Sequence, residues 1–392
     1  MMKTAYLLVL TIMIIFVSCK KPYNPPAIAA PGSYLVVEGV INTGSDSTII
    51  KLSNTVQLSS ATTVNPVLNA VVTVESDQNA EFPLTEAGNG NYVSPGLNLD
   101  NSHKYRLSIQ ANGEQYYSDY VAVLNSPPID SVFFAVAGNG INIYSTSHDP
   151  SNTVKYYRWD YQETWIFHSD YYSFYKSNGD IVIPRNFIND EVYQCWRSDT
   201  SSTINLGSSA NLKTDIISNN PITFVASNSE KLGAKYSILN TQSAGSNSAY
   251  SILVKQYALT GEAYTFWSNL KRNTEQLGSI FDAQPSQIDG NIHSATHPAE
   301  PVIGYISVCS VSSKRVIITN AKLPAWVATY PYACEQDTSH NFYDDLVLDS
   351  AHLIPTGPPP PATGLPGLFL YSTRECVDCT IRGTKTPPPF FK

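Results

Sequence analysis

The chain has 392 residues and carries 32 carboxylates against 24 lysines and arginines. This acidic balance, spread along the chain without basic blocks, argues against nucleic-acid binding, which needs a cationic surface to displace counterions from phosphate. Only 14% of residues are charged, while 25 tyrosines share the polarity with Ser, Thr, Asn and Gly; that is the composition of an exported β-rich protein, with enough chain for two or three domains.

The N-terminus, MMKTAYLLVLTIMIIFVSC, has one cation at Lys3, a largely apolar stretch from Ala5 to Val17, and small Ser18 before Cys19. Residues 1–18 are predicted to be a secretory leader. The thirteen-residue apolar stretch falls within the roughly 7–15 of a leader core and short of the ~20 that cross a bilayer as a helix. FVSC resembles a bacterial lipobox, with Phe16 where Leu is usual, and predicts lipidation of Cys19. More than one acyl chain is needed for stable attachment, each buried methylene contributing ~0.8 kcal/mol. Residues 19–32 are proline-rich and expected to be a tether, because proline cannot continue a helix. No later segment has eighteen uninterrupted apolar residues, so the mature protein is expected to be soluble apart from its lipid.

From Tyr34 to Leu124 the period is two. SYLVVEGVI, STIIKLS, NAVVTVES, AEFPLTE, GNYVS, HKYRLSIQ and EQYYSDYVAVL are short, rich in β-branched and aromatic residues, and separated by Gly, Asn, Asp and Pro turns. Tyr105, Leu107 and Ile109 alternate with Lys104, Arg106, Ser108 and Gln110, as one buried and one wet face require. Seven strands in about ninety residues predict a small β-sandwich over residues 33–126. The order of these segments also resembles the carboxypeptidase-regulatory type of immunoglobulin-like domain, which implies a spacer or interaction module.

NSPPID at residues 125–130 breaks the pattern and marks a domain boundary, with a larger β-rich domain expected over 127–392. AGNGIN at residues 137–142 is a hairpin signal. In VKYYRWDYQETWIFH, Tyr157, Trp159, Tyr161, Glu163, Trp165 and Phe167 share one face of a long strand. Such a row can face a ligand or fill a core, since each large aromatic buries about 150–250 Å². The core is the more general use of such a row; Tyr157, Trp159, Tyr161, Glu163 and Trp165 are the ligand-facing candidates. Glu163 in their midst calls for an arginine partner, a sheet edge or a pocket. TGEAYTFWSNLKRNTEQLGSIF predicts a helix over about 260–281, capped by Thr260 with Glu262 in its first turn. Ala263, Phe266, Trp267, Leu270, Leu277, Ile280 and Phe281 form its apolar stripe, read as packing. Pro358 to Pro361 are restricted to extended or polyproline-like backbone and read as an exposed linker.

No catalytic constellation emerges. His293 and His297 in HSATH lack the glutamate of a metalloprotease helix, so no metal site is assigned. No nucleophile elbow, Walker loop or dinucleotide fingerprint occurs, and no cofactor is expected. Adjacent Asp344 and Asp345 read as solvated loop acids, because glycosidase chemistry needs carboxyls meeting across a cleft. Cys376 and Cys379 have neither a thioredoxin-like βαβ frame nor a second Cys-x-x-Cys for zinc. Export makes disulfides the default, and Cys195 and Cys334 are the available partners, with connectivity open. Cys309, inside an apolar strand pattern, is the odd thiol, used as a small buried hydrophobe.

Several blocks together resemble one family: YLVVEGVI after the lipobox, YYRWDYQETW, the pair Cys195-Trp196, the stretch from YSILVKQYALTGEAYTFWSNL to QIDGNIHS, PVIGYISVCSVSSKR and the ending CVDCTIRGTKTPPPFF. These resemble the Bacteroidota lipoproteins called domain of unknown function 4249, with Phe390-Phe391 where the last aromatic pair commonly contains Trp. The resemblance implies an outer-membrane lipoprotein often encoded near TonB-dependent transporters, with no assigned catalytic residue. Lys20 and Lys21 follow Cys19 in place of the acidic residues of many surface-exported relatives, so either membrane face is open. The leading expectation is a non-enzymatic, lipid-anchored protein that binds an unknown ligand as accessory to a TonB-dependent transporter. An anchored glycan- or peptide-acting hydrolase using Glu163, and a structural or adhesion protein, are the alternatives.

Overall fold

The structure, a computed structural model, describes residues 33–56, 64–178, 181–186, 188–232, 248–275, 289–324, 326, 329, 331–338, 352–357 and 369–391. The leader, Cys19 and the tether lie outside the described residues, as do Asp344, Asp345 and the proline run at 358–361. The fold is mainly β. All seven segments expected between Tyr34 and Leu124 carry strands: Leu35–Asn42, Thr48–Asn54, Val71–Ser76, Glu81–Gly88, Asn91–Ser94, Lys104–Ala111 and Glu114–Ser118, with a two-residue addition at Val121–Ala122. Along Lys104–Ala111, Tyr105, Leu107 and Ile109 are buried while the residues between them reach the surface. Alternation along the strand thus becomes one wall of a core that also holds Ile50, Leu52, Val72 and Val74.

This first sheet recruits strands from far along the chain. Ile292–Ser294 pairs antiparallel with Glu114–Ser118 at one edge. Ile303–Gly304 and Ser307–Cys309 pair in parallel with Leu35–Asn42 at the other. One short stretch therefore covers both edges of the sheet and nearly closes it, which removes exposed ladders that would otherwise recruit other chains. A division at 126/127 leaves these strands in the second unit by sequence, although Ile292, Val302, Ile306 and Val308 belong to the first core.

The second unit stacks two antiparallel sheets. The hairpin Ile129–Ala137 and Gly140–His148 turns where AGNGIN predicts it, and Ile216–Ala226 completes a three-stranded sheet. Facing it, Gln194–Thr200, Tyr156–His168, Ser248–Leu259 and Val311–Thr319 lie side by side, and Asn205–Ser208 extends the row beside the start of the long strand. Between the sheets lie Ile141, Ile143, Tyr157, Trp159, Ile252 and Val254. Gln256 is fully buried there and satisfied: its carbonyl oxygen accepts from Trp159 Nε1 at 2.9 Å, and its amide donates to Pro127 O and Ser147 Oγ at 2.9 and 3.0 Å.

The helix is described over Gly261–Glu275. Thr260 caps it by accepting the Ala263 N–H on its Oγ1 at 3.1 Å. Ala263 and Phe266 are buried, and Leu277, Ile280 and Phe281 of the expected stripe lie outside the described residues. The tail is bound to the long-stranded sheet. Cys379 is joined to Cys195 and Cys376 to Cys334, while Cys309 is a buried free thiol. Trp196 and Thr384 exchange both backbone hydrogen bonds, at 2.8 and 2.9 Å. Between Cys379 and Thr384, Gly383 lies so close to Trp196 that an added Cβ would stand 2.5 Å from the Trp196 carbonyl oxygen and 2.7 Å from the Phe167 ring.

Candidate functional site

The two faces of Tyr156–His168 do different work. On the odd-numbered face, Tyr157, Trp159 and Trp165 are buried and Tyr161 is half-buried, its hydroxyl 3.1 Å from Thr223 Oγ1 in the opposing sheet. These ligand-facing candidates form the inner wall of the second core. Glu163 is 3% exposed. One carboxylate oxygen accepts from Lys231 Nζ and the other from the Tyr250 hydroxyl. Burial and the neighbouring Glu163 carboxylate push the Tyr250 hydroxyl well above its ordinary range. The acid on which a hydrolase reading rests is thus enclosed and saturated by structural partners. Nearby, Trp165 Nε1 donates to Glu230 at 3.3 Å, and Glu230 also accepts from Arg382 at 2.6 Å, tying the tail to the same wall. His293 and His297 stand apart at the surface beside Asp119 and Glu114, and no group of three metal-binding side chains occurs among the described residues.

The even-numbered face opens on a cleft of about 660 Å³ between the two β units. Arg158 and Asp160 project into it from the long strand, Lys255 and Tyr257 from the adjacent strand, and Trp267 from the helix. Register explains the grouping. Arg158 is directly opposite Tyr257, and Asp160 opposite Lys255, so all four share one sheet face. The helix then lays Trp267 over the guanidinium, whose carbon is 4.1 Å from that ring and 4.8 Å from the Tyr257 ring. Arg158 Nη2 donates to Asp160 at 3.0 Å. Tyr257 titrates well above its ordinary value through burial and, secondarily, the Asp160 carboxylate.

The other wall comes from the first sheet, where Glu38 and Lys51 form a cross-strand ion pair at 3.2 Å and Asp46 stands at the end of the hairpin. Ser201, Ser202 and Thr203 supply hydroxyls at the rim. Beneath the cleft, burial pushes the Cys309 thiol up to about 12, which keeps it an uncharged packing group. Of the expected ligand-facing residues only Tyr161 also borders this cleft, and sequence reading treats Trp267 as helix packing. The signal present in the sequence is the Arg-Trp-Asp of YYRWDY, which places a cation and an acid two residues apart on one strand face. The partners Tyr257 and Trp267 are about a hundred residues further along.

A cleft bordered by aromatic faces, a fixed guanidinium and hydroxyls can hold a small polar ligand by stacking and hydrogen bonding. The family model described as Domain of unknown function (DUF4249) matches residues 20–315, a span that contains every cleft residue named above. No curated protein matches the chain.

Proposed function

Because this chain belongs to the DUF4249 family, we propose that it is a lipid-anchored outer-membrane protein of the binding or accessory type. It captures a small ligand in the cleft between its two β units and presents it to a TonB-dependent transporter. The supporting observation is the cleft itself, with Arg158 buried on its floor and clamped between Trp267 and Tyr257. In this reading Cys19 carries the lipid, the proline-rich residues 19–32 hold the folded part off the bilayer, and the first sheet serves as an immunoglobulin-like interaction module. Enclosure of Glu163 favours binding over hydrolysis, because the acid is 3% exposed and both of its oxygens are engaged by Lys231 and Tyr250.

Labelling with a radioactive fatty acid tests the anchor: wild type is expected to be labelled and Cys19→Ala unlabelled, and equal labelling overturns it. Gentle detergent extraction from native membranes tests the partnership. Recovery with a TonB-dependent transporter is expected, and solitary recovery even after crosslinking overturns the accessory role.

A further inference from the structure

We infer that Arg158 receives the carboxylate of a small monoanionic ligand in the inter-unit cleft. The inference deepens the binding reading above and rests on it.

A guanidinium has five N–H donors and no acceptor. The Arg158 side chain is only 10% exposed, yet the Nη2 contact to Asp160 is its one hydrogen bond among the described residues, and its Nε is buried without a partner. The two rings over it accept only weakly, so Nε is left buried without an acceptor, while Nη1 has no hydrogen bond among the described residues and is not among the buried unpartnered atoms, which leaves it for a cleft ligand to reach. Buried donors are ordinarily paired, so a charged group held this way is poised for an acceptor from outside the chain. A planar carboxylate matches the fork.

The charge balance sets the ligand's charge. On the wall formed by the long-stranded sheet, Asp160 offsets one of the two cations Arg158 and Lys255, and Lys255 has no ion pair among the described residues. The cleft lining as a whole is neutral, with Lys51, Arg158 and Lys255 against Glu38, Asp46 and Asp160, but its single excess cation lies on this wall, which suits a monoanion better than a phosphate dianion. Across the cleft Glu38 is neutralised by Lys51, and Asp46 repels an anion from that side, so the carboxylate points towards Arg158. The volume of about 660 Å³ accommodates a body of a few linked units. Hydroxyls at the rim can bind its amides or hydroxyls. Peptide C-termini and uronic acids share this chemistry.

Titration calorimetry on the mature, detergent-solubilised full chain tests the assignment with two matched pairs: N-acetyltriglycine against N-acetyltriglycine amide, and an aldobiouronate, one uronate linked to one neutral hexose, against the corresponding neutral disaccharide. The carboxylate member of at least one pair is expected to bind about tenfold or more tightly than its neutral counterpart, and the pair that responds identifies the source. Arg158→Gln is expected to abolish that preference. Arg158→Lys, which keeps the charge and loses the fork, should retain only part of it. Lys255→Gln, on a half-buried side chain, should weaken binding several-fold in a folded protein. Equal affinity within both pairs, an unchanged preference in Arg158→Gln, or binding of none of the four probes overturns the inference. Co-purification with a transporter in that last case leaves the accessory reading standing, so the two failures are distinguishable.

Discussion

Glu163 and Lys231 illustrate how a buried ion pair constrains its neighbourhood. Removing the acid leaves the buried Tyr250 hydroxyl without its acceptor and the partly exposed Lys231 ammonium without its partner. Glu163→Ala should therefore destabilise by about 1–3 kcal/mol in urea unfolding, whereas Glu163→Leu combined with Tyr250→Phe should recover part of that loss. His168 provides a pH signature. It is 8% exposed, and burial lowers its pKa from 6.5 to about 4. Between those values the unfolded chain binds the proton and the folded one resists it, so stability rises with pH across this window. The contribution is complete above pH 6.5 and lost as pH falls towards 4, on the order of 3 kcal/mol in total. Unfolding curves from pH 4 to 7 should show this slope, and His168→Gln should flatten it. At this scale the sequence is informative about residue type and poor about partners. Glu163 stands out in its aromatic row, but Lys231 and Tyr250 lie 68 and 87 residues away. Arg158 passes unnoticed because its neighbours on the same strand face, Tyr156 and Asp160, are ordinary strand residues.

Individual elements were far more legible. Period-two alternation fixes a strand locally, since one face must be wet and the other dry, and the seven N-terminal segments fall where that pattern runs. Thr260 likewise announces its helix through a bond made three residues away. Pairing between elements is another matter. PVIGYISVCSVSSKRVIIT reads as one strand pattern, yet Ser307–Cys309 pairs with the first sheet and Val311–Thr319 with the second. Alternation continues through Ser310 while the partner changes, and alternation carries no information about partners. The tail shows the same limit. Its Arg-Gly is visible in sequence, but the reason for the glycine appears only where Trp196 and Phe167 close over it. Gly383→Ala is expected to destabilise by about 1–3 kcal/mol through overpacking, measured by thermal or denaturant unfolding, with Ala at open Gly138 as a position free of any such clash.

For the molecule as a whole, covalent closure and chain path decide behaviour. The Cys195–Cys379 bond spans 184 residues and Cys334–Cys376 spans 42. Each should contribute about 2–4 kcal/mol by restricting the unfolded chain. Denatured, unreduced protein with Cys19 acylated is expected to show one reactive thiol, Cys309, and five after reduction; four or five before reduction would contradict the bonds. The sequence leads one to expect disulfides through its proposed leader, but not which cysteine meets which, because connectivity depends on how the sheets stack.

The path of the chain between the units carries a mechanical consequence. It crosses from the first unit to the second near Pro127, is back in the first by Ile292, and crosses again at Ser310, with backbone ladders on both sides of the first and last passages. Two laddered ties across one joint resist the jaw-like swing by which two lobes joined by a single hinge enclose a ligand. On the proposed binding reading the cleft is accordingly a fixed dock, in which side chains such as Trp267 and diffusion would govern entry and exit. Solution scattering profiles with and without a saturating ligand should superimpose, and a contraction on binding would show that the joint bends after all.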